Sequence, residues 1–272
     1  MEEQMFREEE ITSELMHLAS GEGLGSLFLQ YQPIYDLATD SICGFEALAR
    51  LRTPNLGLIS PVEFIPITET TKLIIPLGET IMLQAFRFLN LLRGQGSNHI
   101  SVSVNVSAIQ LLRHDFIPSL QRMIKAMQID ARYLVLEITE SVFASNYQEI
   151  DRILGQLQKI GIQVAMDDFG TGYSSLARER ELNVNCLKID KFFIDKLMVL
   201  SDDEAISGDI ISMAHKLGHC VVAEGIEHER QLAYLRRFHC DKIQGYLISR
   251  PLDEEAALAL AKEQLTSHPS SN

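Results

Sequence analysis

The 272 residues, 46% of them hydrophobic, suffice for one large domain with its own core, since α/β barrels commonly run to about 250 residues. Asp and Glu number 37 against 24 Lys and Arg, and the formal charge of −13 repels nucleic-acid polymers and anionic lipid, which excludes a general DNA, RNA or membrane-surface binder. The four cysteines (Cys43, Cys186, Cys220, Cys240) form no CxxC pair and sit in apolar runs, no signal peptide is legible, and no apolar run approaches the roughly 18 residues of a membrane span; these features predict buried, reduced thiols in a cytoplasmic protein without membrane insertion.

In chain order, residues 1–25 read as a charged, partly helical lead-in broken by Gly21, Gly23 and Gly25, a linker in character. A barrel-sized unit follows over 26–263, and 264–272 form a short polar tail expected to be mobile. Within the unit, short runs rich in Val, Ile and Leu (Ile100–Val104, Tyr133–Leu136, Ile162–Ala165, His219–Ala223) fit strands buried on both faces, as in a parallel sheet. Helical periodicity follows them. Ile150, Ile153, Leu154, Leu157 and Ile160 share a face that Gly161 can terminate; Ile206, Ile210, Met213, Ala214 and Leu217 do the same before Gly218. Leu232, Leu235 and Phe238 outline a third stripe. Repeated strand–helix units mean either a closed barrel or an open doubly wound sheet.

The polar residue expected at the end of each strand decides between the two. Glu46 follows Ile42–Phe45, Asn105 follows Ile100–Val104, Glu137 follows Tyr133–Leu136, and Asp167 with Asp168 follows Ile162–Met166. Lys188, Glu224 and Gln244 follow the next three apolar runs. An open sheet gathers only the strands beside its switch point, whereas a barrel brings every strand to one mouth. A (β/α)8 TIM-like barrel is therefore predicted.

Carboxylates converging on one mouth repel one another unless cations neutralise them. Glu46, Asn105, Glu137, Asp167 and Asp168 are all oxygen donors, which favours hard ions, Mg²⁺ or Mn²⁺, over Zn²⁺. The neighbours Asp167 and Asp168 suit a pair of ions, one carboxylate bridging while the other binds only the second, and such a pair clamps phosphoryl oxygens. Lys188 is then placed to orient or deprotonate a water, or to neutralise charge developing at phosphorus.

The ordered motifs extend well beyond these residues. They are Tyr31-Gln32-Pro33-Ile34, Gly44-Phe45-Glu46-Ala47-Leu48-Ala49-Arg50, Val104-Asn105-Val106-Ser107, Glu137-Ile138-Thr139-Glu140, Asp167 through Leu176, Leu187-Lys188-Ile189-Asp190, Ala223-Glu224-Gly225-Ile226-Glu227 and Gln244-Gly245-Tyr246. In this series the chain resembles the EAL-domain phosphodiesterases that hydrolyse cyclic di-GMP, over about residues 26 to 260. The resemblance implies a barrel with one antiparallel strand and a reaction that yields linear pGpG. It implies that Glu46, Asn105, Glu137 and Asp167 hold one ion, that Asp168 serves a second with Glu224, and that Lys188 and Glu224 are catalytic. Gln32, Leu48, Arg50, Glu227 and Gln244 would bind or position substrate. Glu140 would anchor a loop, Phe169, Gly170, Thr171 and Gly172 among its residues, that couples metal occupancy to dimerisation. A homodimer and an upstream sensory or cyclase domain are further implied partners.

The chain departs from the family pattern at several positions. Glu179 replaces a common hydrophobic residue, Arg178 stands beside it, and Asn183 replaces a common proline; these bear on dimerisation rather than on chemistry. Lys72 replaces a frequent glycine, an expected surface change, and Leu51 a frequent tryptophan, with altered packing expected beside the site. Asp168-Phe169-Gly170 matches a kinase tripeptide without the other kinase motifs, and Gly218 spoils the shared helical face that His215 and His219 would need as metal ligands. Two other functions fit parts of the pattern: a receptor that binds cyclic di-GMP without cutting it, and an enolase-type barrel, for which residues 1–25 are too short to supply the usual capping domain.

Overall fold

The computed structural model describes residues 2–22, 25–144, 146–170 and 183–267. The Val/Ile/Leu-rich runs form strands β1 (Ser26–Asp36), β2 (Ser41–Thr53), β3 (Gly57–Ile59), β4 (Ser101–Asn105), β5 (Leu134–Thr139), β6 (Gln163–Phe169), β7 (Cys186–Ile189), β8 (Cys220–Ala223) and β9 (Lys242–Ile243). The described helices are α1 (Glu2–Ser20), α2 (Pro61–Thr70), α3 (Ile74–Gly94), α4 (Ala108–Leu111), α5 (Phe116–Ala126), α6 (Tyr147–Ile160), α7 (Lys191–Lys196), α8 (Ser207–Leu217), α9 (Glu229–Arg237) and α10 (Glu254–Ser267). None of them is long and apolar enough to cross a membrane.

Neighbouring strands run in the order β1-β9-β8-β7-β6-β5-β4-β2, and pairing of β1 with β2 closes the ring, so the structure is a closed eight-stranded (β/α)8 barrel. β1 is antiparallel to both of its neighbours, while every other neighbouring pair in the ring is parallel. This is the reversed strand that the family resemblance implied. β3 pairs only with β2, outside the ring. The two glycine stops hold: Gly161 ends α6 at φ 95° and Gly218 ends α8 at φ 87°, left-handed conformations that glycine adopts without steric cost.

Five strands run further than their apolar stretches predict. β2 continues to Thr53, β4 to Asn105, β5 to Thr139, β6 to Phe169 and β7 to Ile189, so Glu46, Asn105, Glu137, Asp167, Asp168 and Lys188 lie within strands rather than after them. In a linear apolar run a carboxylate reads as a stop. On an inward-facing register position it is simply the next side chain on the interior face.

The lead-in also differs from a linker in character. Residues Glu2–Ser20 form one 19-residue helix. Ile11 and Leu15 are fully buried among Leu51, Ile59, Phe64 and Leu77, a satellite core between α1, β2, β3, α2 and α3. Arg7 pairs with Glu63 on α2, and the Glu14 carboxylate accepts the Gly25 N–H at 2.6 Å. Leu51, at 0% exposure, belongs to this satellite core, so the packing change expected beside the site falls instead against α1.

Two other departures have local explanations. Lys72 adopts φ 62°, a left-handed conformation that favours glycine, so this exposed lysine carries backbone strain as well as a surface charge. Asn183 donates through its backbone N–H and its side-chain amide to Asp151 Oδ1, at 3.2 and 2.8 Å, a tether to α6 whose backbone bond proline could not make. Arg178 and Glu179 lie outside the described residues.

Two stability outcomes follow from this packing. Ile11→Ala and Leu15→Ala should each lower the unfolding free energy by about 2–4 kcal/mol in urea denaturation, and an unchanged midpoint would mean that α1 is no part of the cooperative unit. Lys72→Gly should raise stability by up to about 1 kcal/mol in the same assay, because relief of the left-handed strain outweighs the added freedom of the unfolded chain.

Candidate active site

Strand geometry and the closed ring aim the polar side chains at one point. Asn105 on β4 pairs in register with Glu137 on β5, Thr139 on β5 with Asp167 on β6, and Gln32 on β1 with Glu46 on β2. Lys188 projects from β7 into the middle of this set. Its Nζ lies 2.5 Å from Glu137, 2.7 Å from Glu224, 3.3 Å from Asp167 and 3.5 Å from Glu46. Lys188 and Glu137 are each 1% exposed and Glu46 is 5% exposed.

Amides complete the arrangement. Asn105 Nδ2 donates to Glu46 Oε1 at 2.8 Å, and Gln244 Nε2 donates to Glu46 Oε2 at 2.7 Å and to Gln32 Oε1 at 3.3 Å. Gln32 in turn donates to the Ser249 carbonyl at 3.2 Å. Gln244 Oε1 is buried and has no hydrogen-bond partner among the described residues, so it offers an acceptor to whatever enters the site.

One ammonium does not balance four carboxylates. Burial alone would deprotonate Lys188, but Glu137 and Glu224, with Glu46 and Asp167 behind them, hold its pKa well above the ordinary lysine range. Burial likewise opposes ionisation of Glu46, yet Lys188 and the amides of Gln244 and Asn105 outweigh it and keep its carboxyl below the usual range. Glu137 goes the other way: burial and the adjacent Glu46 raise it well above. Burial pushes Glu224 up to about 8 against the pull of Lys188. Burial and mutual repulsion thus shift two of the four acids toward their protonated forms, as a cluster with excess negative charge requires. Oxygens of Glu46, Glu137 and Asp167 lie within 4.8 Å of one another, close enough to share a metal ion. The donor set, all oxygen, fits a hard divalent cation.

Asp168 stands apart from that trio. Its backbone is at φ 55°, the β6–β7 register shifts between Met166 and Phe169, and its N–H donates to Asp167 Oδ1 at 3.0 Å. In a regular strand adjacent side chains point to opposite faces, and a bulge of this kind re-aims them. Burial and the neighbouring Asp167 raise the Asp168 carboxyl.

Two cavities flank the cluster. One, of about 330 Å³, is bounded by Gln32, Glu46, Asp167, Glu224, Glu227 and Gln244. The other, of about 440 Å³, runs from Asn105 and Glu137 past Arg50 to Pro61, Ile65 and Glu69. Leu48 lines both. Arg50 is fixed by Nε donating to Gln30 Oε1 at 2.7 Å, and Glu227 pairs with Lys191 at 3.1 Å. Glu140 Oε2 accepts the N–H of Gly170 at 3.2 Å, next to the buried Phe169. Thr171 and Gly172 lie outside the described residues.

The fold thus gathers Glu46, Asn105, Glu137, Asp167, Lys188, Glu224, Gln32 and Gln244 into one network, with Arg50 and Glu227 on the cavity walls. Sequence reasoning missed Lys191 and Glu69. Lys191 was findable, since it opens the helix capped by Asp190 directly after β7; the Asp190 side chain accepts the Phe192 N–H at 2.9 Å. Glu69 carried no local signal, because only the packing of α2 against β2 brings it to the cavity.

Comparison with known proteins agrees with this geometry. The sequence profile of the EAL domain matches residues 19–251. Among curated relatives, the cyclic di-GMP phosphodiesterase NbdA of Pseudomonas aeruginosa is 40% identical over 226 residues, 83% of this chain. The bifunctional diguanylate cyclase/cyclic di-GMP phosphodiesterase MucR of the same organism is 37% identical over 233 residues, 86% of this chain. The chain spans only 29% and 34% of the lengths of these two relatives. A solved structure of the PaMucR phosphodiesterase in complex with c-di-GMP superposes with a TM-score of 0.85 at 35% identity, covering 91% of this chain and 99% of that one. The family match covers most of the chain and the fold superposes closely, so the chain belongs to the EAL domain family.

Proposed function

We propose that the chain is a metal-dependent phosphodiesterase that opens cyclic di-GMP to linear pGpG. The observation that carries this reading is the buried Lys188 ammonium among four carboxylates, set between two cavities. A ligand with two similar halves joined by phosphates suits a mouth with two lobes and a charged centre. The names borne by NbdA and MucR point the same way.

Glu46, Asn105, Glu137 and Asp167 would hold one Mg²⁺ or Mn²⁺ ion, and Asp168 with Glu224 would serve a second. Such ions supply Lewis-acid stabilisation of the phosphoryl oxygens and lower the pKa of water. The chain's own residues do the rest. Lys188 holds the attacking water by hydrogen bond and opposes negative charge as it grows at phosphorus. Arg50, pinned by Gln30, meets a non-bridging phosphate oxygen, for which its planar guanidinium is suited. Gln244 offers its unpaired Oε1 to a substrate donor, while its amide and that of Asn105 keep Glu46 ionised and oriented. Leu48, shared by both cavities, seats the substrate across the cluster, with Gln32 and Glu227 bounding one lobe. Glu140 accepts the Gly170 N–H just beyond β6, a tie that would link the site to a homodimer partner. An upstream sensory or cyclase domain and a cytoplasmic setting complete the proposal.

The first test is incubation with cyclic di-GMP and Mg²⁺ or Mn²⁺, with products resolved by chromatography. Linear pGpG should appear with either ion. Lys188→Ala and Glu46→Ala should each lower turnover by about 10²–10⁴-fold, the range for loss of a group acting on the transferring proton or charge. Full turnover in either variant would reject the residue assignment, and tight binding without product would identify a receptor instead.

A pH outcome follows from Glu224. Its folded pKa of about 8 lies above its unfolded value, so folding favours the protonated form. Its contribution to the stability of the metal-free protein is complete below the ordinary glutamate range and is lost as pH rises through about 8. Cation affinity should rise over the same window, with proton release on binding, because a ligand carboxylate must ionise. Thermal unfolding and calorimetric titration in buffers of different ionisation heat read both effects. Glu224→Gln should flatten both profiles, and unchanged slopes would contradict the assignment.

A further inference from the structure

The lower part of the barrel interior holds chemistry that the mouth does not use. Cys186 opens β7 two positions before Lys188, and Cys220 opens β8 four positions before Glu224, so by strand alternation both thiols face the interior. Together with Ile34, Ala165, Val222, Val135 and Cys43 they form a separate cluster beneath the polar residues. Cys186 and Cys220 are register partners across the parallel β7–β8 pair. Strands pair about 4.8 Å apart, within the roughly 4.4–6.8 Å that a disulfide spans between Cα atoms. Parallel Cβ vectors normally hold such a pair too wide, but inward-pointing vectors on a closed barrel converge.

We propose that Cys186 and Cys220 form a reversible dithiol/disulfide site, closed by a two-electron oxidant of the hydroperoxide class. Cys220 is the partly exposed member and Cys186 the buried one. The neighbouring Cys186 thiol and the ammonium of Lys242 together outweigh burial and hold the Cys220 thiol below its ordinary range. Cys186 is correspondingly raised. Cys220 is thus the attacking thiolate and Cys186 the resolving thiol. The Cys220 thiolate attacks the terminal peroxide oxygen, the O–O bond breaks, and with one proton taken up a sulfenic acid forms while the other oxygen leaves as water from hydrogen peroxide or as an alcohol from an organic hydroperoxide. Cys186 sulfur then attacks the sulfenic sulfur, the S–O bond breaks, and its thiol proton leaves with the hydroxyl as water. Two thiols are oxidised and one peroxide is reduced.

The other two cysteines lack this arrangement. Burial raises Cys43 to about 11, and its thiol donates to the Ile34 carbonyl at 3.5 Å. Burial raises Cys240 to about 12, and its thiol donates to the Lys242 carbonyl at 3.3 Å. Closing the Cys186–Cys220 bond would draw β7 and β8 together directly beneath Lys188 and Glu224, so the bond's state should also be felt at the mouth.

The test treats the purified chain with hydrogen peroxide, then blocks free thiols and maps peptides by mass spectrometry. Two of the four thiols should disappear, with a cross-linked species joining the Cys186 and Cys220 peptides that dithiothreitol reverses. Cys186→Ser should leave Cys220 as a sulfenic acid trapped by dimedone, and Cys43→Ser should leave the cross-link intact. A cross-link through Cys43, irreversible oxidation of Cys220 in the wild-type chain, or four unreacted thiols would each overturn the proposal. The coupling to the mouth rests on the phosphodiesterase reading and has its own readout. Turnover should fall on cross-linking and recover with dithiothreitol, whereas Cys220→Ser should be insensitive to peroxide. Unchanged turnover in cross-linked protein would overturn the coupling while leaving the mass result standing.

Discussion

A lysine ammonium at 1% exposure, with four carboxylates within 3.5 Å, is the arrangement on which the rest of the mouth depends. Removing charges from water costs several kcal/mol per ion, and only close opposite charge with additional hydrogen bonds offsets it. The amides of Asn105 and Gln244 provide those bonds to Glu46. Because carboxylate outnumbers ammonium, the cluster is left short of positive charge, and Glu137 and Glu224 respond by favouring their protonated forms. Added divalent cation would reverse that response, since ions and protons compete for the same oxygens.

The barrel is what makes such a concentration of like charge tolerable. Seven strands run parallel and deliver their side chains to one end, while β1, reversed, closes the ring against β2 and β9. Reversal does not remove β1 from the site: Gln32 lies in register with Glu46 and reaches Gln244. Outside the ring, α1, α2 and α3 clamp the β2 and β3 edge through the satellite core, and the larger of the two cavities lies between α2 and α3 on one side and β2 and β4 on the other. The helix that reads as a linker therefore belongs to the support of the lobe that Arg50 and Leu48 line.

The barrel interior is layered along its axis. The upper layer is ionic, the lower one apolar with thiols and the half-buried Lys242 beside them; β7 carries residues of both, and β8 leads from the lower layer to Glu224 in the upper. Cys186 and Lys188 share one strand and one face, and Cys220 opens the strand that runs directly into Glu224. A short strand transmits a change at its base to its tip with little loss, since close-packed interiors deform as units rather than absorbing strain locally.

Sequence by itself determined the repeating strand–helix order, the glycine stops at Gly161 and Gly218, and the identities of the polar residues that converge. These are local properties: apolar runs, periodicity and turn chemistry act over a few residues and leave their trace in order. It could not show where the strands end, because Glu46, Glu137 and Asp167 look like stops until their partners reveal them as interior register positions. The reversed strand came from family likeness alone, since strand direction is settled by pairing and not by composition. Only the tertiary structure decided that Ile11 and Leu15 dock α1, that Glu69 reaches a cavity, that Lys72 is strained, and that Cys186 meets Cys220. Each of these depends on contacts or backbone angles set by distant segments, which no window of sequence contains. The same physics explains why Lys188 is legible as a polar residue after an apolar run, yet its grip on four carboxylates is not: the acids lie on four other stretches of chain and meet it only when the ring closes.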